Sequence, residues 1–358
     1  MGNLALFKDI NKILLVQLAG IGDLVMATPV ISAVRERFPE AHIALLTTQR
    51  AQGLLESSKE LDRIFGLDYK GRLDLGLFLS KKNWQTIHLL RQEKFDLVLN
   101  LYQLYSIKGA LQIWLLFKLL RAKFTAGRDT DGRGFFFNLK IEESSDRRGH
   151  EVESNLRLLT LFNIEPKLRK PHLDLDAQSE IFIFEFLLRY NISGRDLLIG
   201  INPGSAWRLT RRWPSGRFAQ VADEIADKYS AKIVLTGSPS EAHLTGEIAS
   251  LMNYIPLNSA GRLNISQLKA LIKRCNLYIS TDSGPMHIAA ALGTPLIAVF
   301  GPAHQRYYPY PESDKIAVIR KQVECQPCYR MKCNDHRCMD LITAGEVLEV
   351  AHRLLEKR

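Results

Sequence analysis

The residues Gly20-Ile21-Gly22-Asp23 follow an apolar run, Ile13-Leu14-Leu15-Val16, and lead into a stretch with helical apolar spacing. In a dinucleotide-binding turn this place is glycine-rich, so that backbone can approach a pyrophosphate. A carboxylate there repels one, which argues against NAD or FAD in this half of the chain. The next apolar run ends in Thr47-Thr48-Gln49, without the acidic residue that would hold a ribose. Two roles are open to Asp23. It can cap the helix, stabilised by the dipole and unpaired N–H groups. It can also serve as a general base at the carboxyl edge of an open α/β sheet. Gly20 and Gly22 supply the tight backbone turn.

A second stretch, "GINPGSAWRLTRRWPSGRFAQVAD" (200–223), leaves an apolar run at Asn202-Pro203-Gly204-Ser205 and then carries Arg208, Arg211 and Arg212. Gly204 and Ser205 offer backbone and hydroxyl donors, and arginines offer bidentate cations, a set that suits a phosphate. The plain alternative is a solvated basic loop. A third, "LYISTDSGPMHIAAALGTPLIAVFGP" (277–302), passes through Ser280-Thr281-Asp282-Ser283-Gly284 into Pro285, a residue suited to the first helical position. Free N–H groups at such a helix start bind anions. Asp282 can accept from a sugar hydroxyl and His287 can donate to a phosphate. Capping by Asp282 and Ser283, and a core role for His287, are the alternatives.

Cys325, Cys328, Cys333 and Cys338 form a C-x2-C-x4-C-x4-C cluster. Four thiolates can make a zinc site, but the later spacings are wider than a zinc ribbon's. The expectation is no metal, with reduced thiols or a disulfide as alternatives. Residues 107–133 hold six basic side chains (Lys108, Lys118, Arg121, Lys123, Arg128 and Arg133) against Asp129 and Asp131, with Trp114, Phe117 and Leu120 near one helical face. Such a segment can touch a membrane surface. A sheet-covering helix with a basic outer side is the more economical reading.

The elements that must position these groups alternate. Apolar runs at 13–18, 42–47 and 95–101 read as strands and 25–37 as a helix, a βαβ rhythm with a parallel sheet. "GHEVESNLRLLTLFNI" (149–164) has helical spacing, and the charged, proline-bearing stretch 165–180 reads as the linker. Strand signals then restart at 197–201, 232–236, 277–280 and 296–300, with helices at 218–229, 265–274 and 285–292 and a last one at 344–357. The pattern predicts two Rossmann-like domains, an α/β chain divided as 1–170, 171–342 and a C-terminal helix in 343–358. Its 358 residues, 46% hydrophobic and 24% charged, fit two globular domains. A net charge of +10 and pI of about 9.3 favour acidic partners. No run is long and apolar enough to span a bilayer; "GALQIWLLFKLL" (109–120) is short and holds Lys118. With no basic n-region and an odd cysteine count, a reducing cytoplasm is expected.

Three stretches together, "GIGDLVMATPVISAVRERFP", "NPGSAWRLTRRWP" and "STDSGPMHIAAALGTPLIAVFGPAH", resemble glycosyltransferase family nine, the lipopolysaccharide heptosyltransferases. The trailing "CQPCYRMKCNDHRCMDLITAGEV" is similar to the C-terminal signature of many members. The resemblance implies a GT-B fold, two Rossmann-like domains facing across a cleft, with the C-terminal helix crossing back to the first. It implies inverting, metal-independent transfer from a nucleotide-sugar, ADP-heptose in the known members, to the Kdo or heptose region of the lipid A core. No cofactor is required. The family's catalytic aspartate maps onto Asp23, beside the acceptor-side turn Gly20 and Gly22. The donor would lie on Ser205, Arg211, Leu263, Asp282, Ser283, Gly284 and His287, with Glu241 a further candidate for the ribose. Many members carry lysine where this chain has Arg211.

Other readings stay open. Nothing in the sequence reads adenine over uracil, so another nucleotide-sugar is an alternative donor. A non-catalytic nucleotide-sugar or lipid-binding module is a second alternative. Nucleic acid is not an expected partner, since no helix-turn-helix, RNP or zinc-finger spacing is present. The expected partners are the nucleotide-sugar, an acidic lipid A/Kdo-type glycolipid and the cytoplasmic face of the inner membrane, reached electrostatically as a peripheral protein.

Overall fold

A computed structural model describes residues 10–69, 76–145, 149–204 and 208–357. The chain divides into two compact units, Met1–Asp174 and Leu175–Arg358, against the expected break after residue 170.

In the first unit six strands, β1 (Lys12–Gln17), β2 (His42–Thr48), β3 (Arg63–Leu67), β4 (Leu97–Asn100), β5 (Phe124–Thr130) and β6 (Leu139–Glu143), form one sheet in the order β3-β2-β1-β4-β5-β6. Every pairing is parallel. Its helices are α1 (Ile21–Arg37), α2 (Gly76–Leu79), α3 (Lys81–Glu93), α4 (Ile107–Leu120) and α5 (Glu151–Leu156). The second unit repeats the plan with β7 (Leu198–Asn202), β8 (Lys232–Leu235), β9 (Leu257–Asn258), β10 (Leu277–Thr281), β11 (Leu296–Val299) and β12 (Ile316–Ile319), in the order β12-β11-β10-β7-β8-β9. All of these pairings are parallel too. Its helices are α6 (Ala177–Leu188), α7 (Ser215–Tyr229), α8 (Ala242–Leu251), α9 (Ile265–Arg274), α10 (Gly284–Leu292), α11 (Arg337–Asp340) and α12 (Ala344–Glu356).

Parallel strands covered on both faces must be apolar on both faces. Accordingly β1 is buried from Ile13 onward, and β7 and β10 throughout. In each unit the strand order reverses once, between β1 and β4 and between β7 and β10. Loops leaving the carboxyl ends of such a strand pair diverge to opposite faces and open a crevice, the usual ligand site of open α/β sheets. The glycine turns singled out above lie at these two places.

Local chemistry sets the helices there. In α1, Pro29 has no N–H for the Val25 carbonyl four residues back, and the Thr28 hydroxyl donates to that carbonyl at 2.9 Å. In α10, Pro285 occupies the first turn and Gly293 closes the helix at φ 68°, a left-handed cap.

The helix expected over 149–164 is shorter. It runs only through α5 and then tightens into a 3-10 turn, Arg157–Phe162, closed by Asn163 at φ 52°. The tighter winding aligns residues three apart, and Leu159 and Phe162 are both buried. The last helix, expected to reach back to the first unit, packs Val347, Leu348, Ala351, Leu354 and Leu355 into the second unit's core with Ile225 of α7 and Ile279 of β10. No helix among the described residues is long and apolar enough to cross a membrane.

Candidate functional site

The first unit's site is built at the ends of β1 and β4. Gln17 ties the two strand ends together: its Nε2 donates to the Leu101 carbonyl at 3.1 Å and its Oε1 accepts from Ala19 N–H at 3.2 Å. The chain then turns through Gly20, the extended N-cap of α1, and Asp23 falls in the first helical turn. Its Oδ2 accepts from Gly20 N–H at 3.1 Å. Asp23 therefore caps the helix, and Gly22 sits beside it in the same turn. The carboxyl is half-buried. Withdrawal from water, with the negative Glu151 second, pushes its pKa up to about 6, while the backbone donors and Arg128 pull the other way. An acid poised there is mostly ionised at neutral pH and basic enough to take a proton.

Five residues around Asp23 were not singled out for the site from sequence. Arg128 of β5, 1% exposed, pairs through Nη2 with Glu151 Oε1 at 2.5 Å, and Glu151 starts α5. A second carboxylate, Glu143 Oε2, lies 3.9 Å from Arg128 Nη1. Asn155 of α5 donates to the Met26 carbonyl at 3.4 Å, fixing this pair against the helix that carries Asp23. Tyr102, on the loop after β4, is buried between the rings of Tyr69 and Tyr105 at 6.1 and 6.4 Å. Burial raises its phenol pKa, with Tyr69 and Asp23 adding to the effect.

The second unit's site lies at the ends of β7 and β10. Gly204 turns at φ 71°, and a Cβ there would sit 1.9 Å from Thr281 Oγ1, so only glycine fits. Asp282 is 4% exposed. Its Oδ2 lies 3.1 Å from Arg211 Nη1, and the same nitrogen donates to the Asp282 carbonyl at 3.1 Å. Burial raises the Asp282 pKa against the pull of Arg211 and Arg208. Ser283 is the N-cap of α10 without capping it by its side chain. Its hydroxyl instead donates to Asn202 Oδ1 at 3.1 Å and meets Ser280 Oγ at 3.0 Å. That hydroxyl therefore does not claim the α10 start, where Gly284 begins the helix, and such a start attracts anions. His287 is buried one turn further along α10.

The structure thus brings Arg211, Asp282, Ser283 and Gly284 together at the ends of β7 and β10, with His287 buried one turn along α10. Leu263, partly exposed, stands apart on the loop after β9, just before the α9 cap Asn264. Its loop is tied to the one after β8, where Gly261 N–H donates to the Gly237 carbonyl at 2.9 Å. There Glu241 accepts from Ser238 N–H at 2.7 Å as a capping box. Ser205 lies outside the described residues.

The cysteine segment has a mechanical part. Leu209 N–H donates to the Met331 carbonyl at 3.0 Å, Thr210 Oγ1 donates to the Arg330 carbonyl at 2.9 Å, and His336 Nε2 meets the Thr210 carbonyl at 3.0 Å. This segment backs the loop that carries Arg211. Cys325, Cys328, Cys333 and Cys338 are free thiols, and burial pushes Cys338 up to about 11. Among the described residues no group of three or more His, Cys, Asp or Glu is placed to hold a metal ion.

Residues 83–338 match the sequence profile of glycosyltransferase family 9 (heptosyltransferase). The chain belongs to glycosyltransferase family 9. This family 9 transferase is 27% identical over 342 residues to lipopolysaccharide heptosyltransferase 3 of Escherichia coli, spanning 93% of this chain and 96% of that protein. Its fold matches a family 9 glycosyltransferase from Veillonella parvula with a TM-score of 0.79 at 24% identity, covering 97% and 98% of the two chains. It matches the E. coli ADP-heptose lipopolysaccharide heptosyltransferase II at 0.76 and 24%, covering 97% and 99%. The two six-stranded units are the Rossmann-like halves of the GT-B fold.

Proposed function

We propose that this transferase moves a heptose, or a closely related sugar, from an ADP-sugar to the inner core of lipopolysaccharide, with inversion and without a metal. The observation that carries the reading is the pairing of two unlike sites. One is a carboxyl raised to about 6 at the first unit's strand ends. The other is an arginine-flanked helix start at the second's. The names of the E. coli relatives supply the sugar, the nucleotide and the acceptor class.

Asp23 takes the proton of the acceptor hydroxyl as its oxygen attacks the anomeric carbon. The bond from that carbon to the diphosphate oxygen breaks, with the electron pair leaving on ADP. Attack from the face opposite the leaving group inverts the centre, through an oxocarbenium-like transition state. Charge growing on the diphosphate is met by the α10 start at Ser283 and Gly284, by Ser205 and by Arg211. These fixed dipoles and cations do the work a divalent ion does elsewhere. Asp282 holds the Arg211 guanidinium in place until a donor binds. His287 lies near the phosphates, and Leu263 contacts the base. The acidic lipid-linked acceptor draws the basic protein to the membrane surface electrostatically.

A donor panel of ADP- and UDP-sugars, with lipid A core fragments as acceptors and excess EDTA, tests this reading. Transfer from ADP-heptose that EDTA leaves unchanged supports it. Turnover confined to UDP-sugars, or lost with the chelator, refutes the donor or the metal independence. Mass spectrometry of the source organism's lipopolysaccharide after deletion of the gene then gives the sugar added.

A further inference from the structure

A helix that only covers a sheet turns a polar face to water. The outer face of α4 does not. Its inner side buries Ala110, Ile113, Leu116, Phe117 and Leu120 against the sheet. On the outer side Ile107, Leu111 and Leu115 recur every fourth residue, 69%, 46% and 41% exposed. Trp114 is partly buried next to Leu115. Lys108, Lys118 and Arg121 are exposed around this stripe. The neighbouring helix α3 packs on α4 and opens with exposed Lys81, Lys82 and Trp84. Between Asp96 and Asp129 the sequence has no acidic residue.

We propose that this face of α4 is a bilayer-docking surface, which inserts its leucine and isoleucine side chains among the headgroups of an anionic membrane while its lysines bind the phosphates. The charge selects the occupant. A second copy would bring an equally cationic face and repel, whereas anionic lipid neutralises lysines and takes up exposed apolar side chains. The position fits as well. Ser106 caps α4 directly after the β4 loop, so the stripe begins at the sheet edge where Asp23 stands. A lipid-linked acceptor held in the same surface would enter the site from there. This last point rests on the acceptor proposed above, whereas the docking surface itself does not.

Insertion differs from attraction by charge alone in its response to salt. Vesicles of phosphatidylethanolamine with phosphatidylglycerol serve as the probe, and co-sedimentation as the readout. Wild-type binding should weaken up to about 0.5 M salt, where charge is screened within a few ångströms, yet a fraction should persist. The double variant Leu111→Ser/Leu115→Ser should bind about tenfold more weakly or worse and keep nothing at high salt. Lys108→Gln/Lys118→Gln should lose the low-salt component only. If the double variant does not fold by circular dichroism, Ile107→Ser, at the most exposed position of the stripe, replaces it. Leucine variants that bind as wild type does, or wild-type binding abolished by salt, overturn the proposal. So does a wild-type dimer that the leucine variant dissociates without change in vesicle binding. Turnover on detergent-dispersed acceptor separates the two claims. There the leucine variants should match wild type. If wild type itself transfers nothing, the proposed function fails, and the sedimentation result still decides the docking surface.

Discussion

Replacing Asp23 by asparagine should make the protein more stable at neutral pH while cutting its turnover steeply. The carboxyl rises from 3.8 in an open chain to about 6 in the folded one, chiefly because it leaves water and faces Glu151. The folded state therefore holds this proton more tightly than the unfolded state does. Its contribution to stability falls as pH rises from about 4 to about 6, and above that the whole cost is present. A rise of that size corresponds to about 3 kcal/mol. The side chain is only half-buried, and screening by water on its open side brings the expected gain to about 1–3 kcal/mol. Asparagine keeps an oxygen for the Gly20 N–H, so the cap survives. Melting at pH 8 should show Asp23→Asn several degrees above wild type, and melting at pH 4 should show the two together. Turnover at pH 8 should fall by about two to four orders of magnitude. A variant no more stable than wild type at pH 8, or equally stabilised at both pH values, would refute the electrostatic account of this carboxyl.

Related outcomes follow from the same geometry. The kcat/KM profile should lose activity on the acid side with a midpoint near pH 6, and Glu151→Gln should move that limb to lower pH because a negative neighbour is removed. A limb unmoved in that variant would separate Glu151 from the base. Gly204→Ala needs a left-handed φ and drives a Cβ onto Thr281, so it should cost the second unit about 2 kcal/mol or more in denaturant melts and weaken ADP binding. Arg211→Ala should weaken ADP binding by about tenfold or more in a calorimetric titration, with Arg211→Lys in between, since lysine keeps the charge and loses the fork.

The sequence disclosed the parts of this molecule that physics confines to a few residue types. Central strands such as β1, β4, β7 and β10 are buried on both faces and read as unbroken apolar runs. Asp23 stands out because Gly20 and Gly22 precede it in a strand-to-helix turn, and Ser283 because Gly284 and Pro285 follow it in another. Edge strands hid themselves: β6 alternates half-buried and exposed residues, and every residue of β12 is half-buried. In β5 the sequence Gly127-Arg128-Asp129 looks like a turn, yet all three are buried. Arg128 and Glu151 meet across 23 positions, a distance over which no local spacing carries information. The support that Arg330 and Met331 give the basic loop runs through their carbonyls, which every residue type possesses. For the cysteines, composition suggested a metal question, while the fold reveals a buttress.

A crystal of the protein grown with ADP puts the division of labour to its most direct test. The diphosphate should lie on the α10 start, against Ser283 and Gly284 and within reach of Arg211, and Asp23→Ala should bind it equally well. Phosphates found against Gly20–Asp23, with Asp282–His287 left empty, would contradict the assignment of the base to the first unit and the nucleotide to the second.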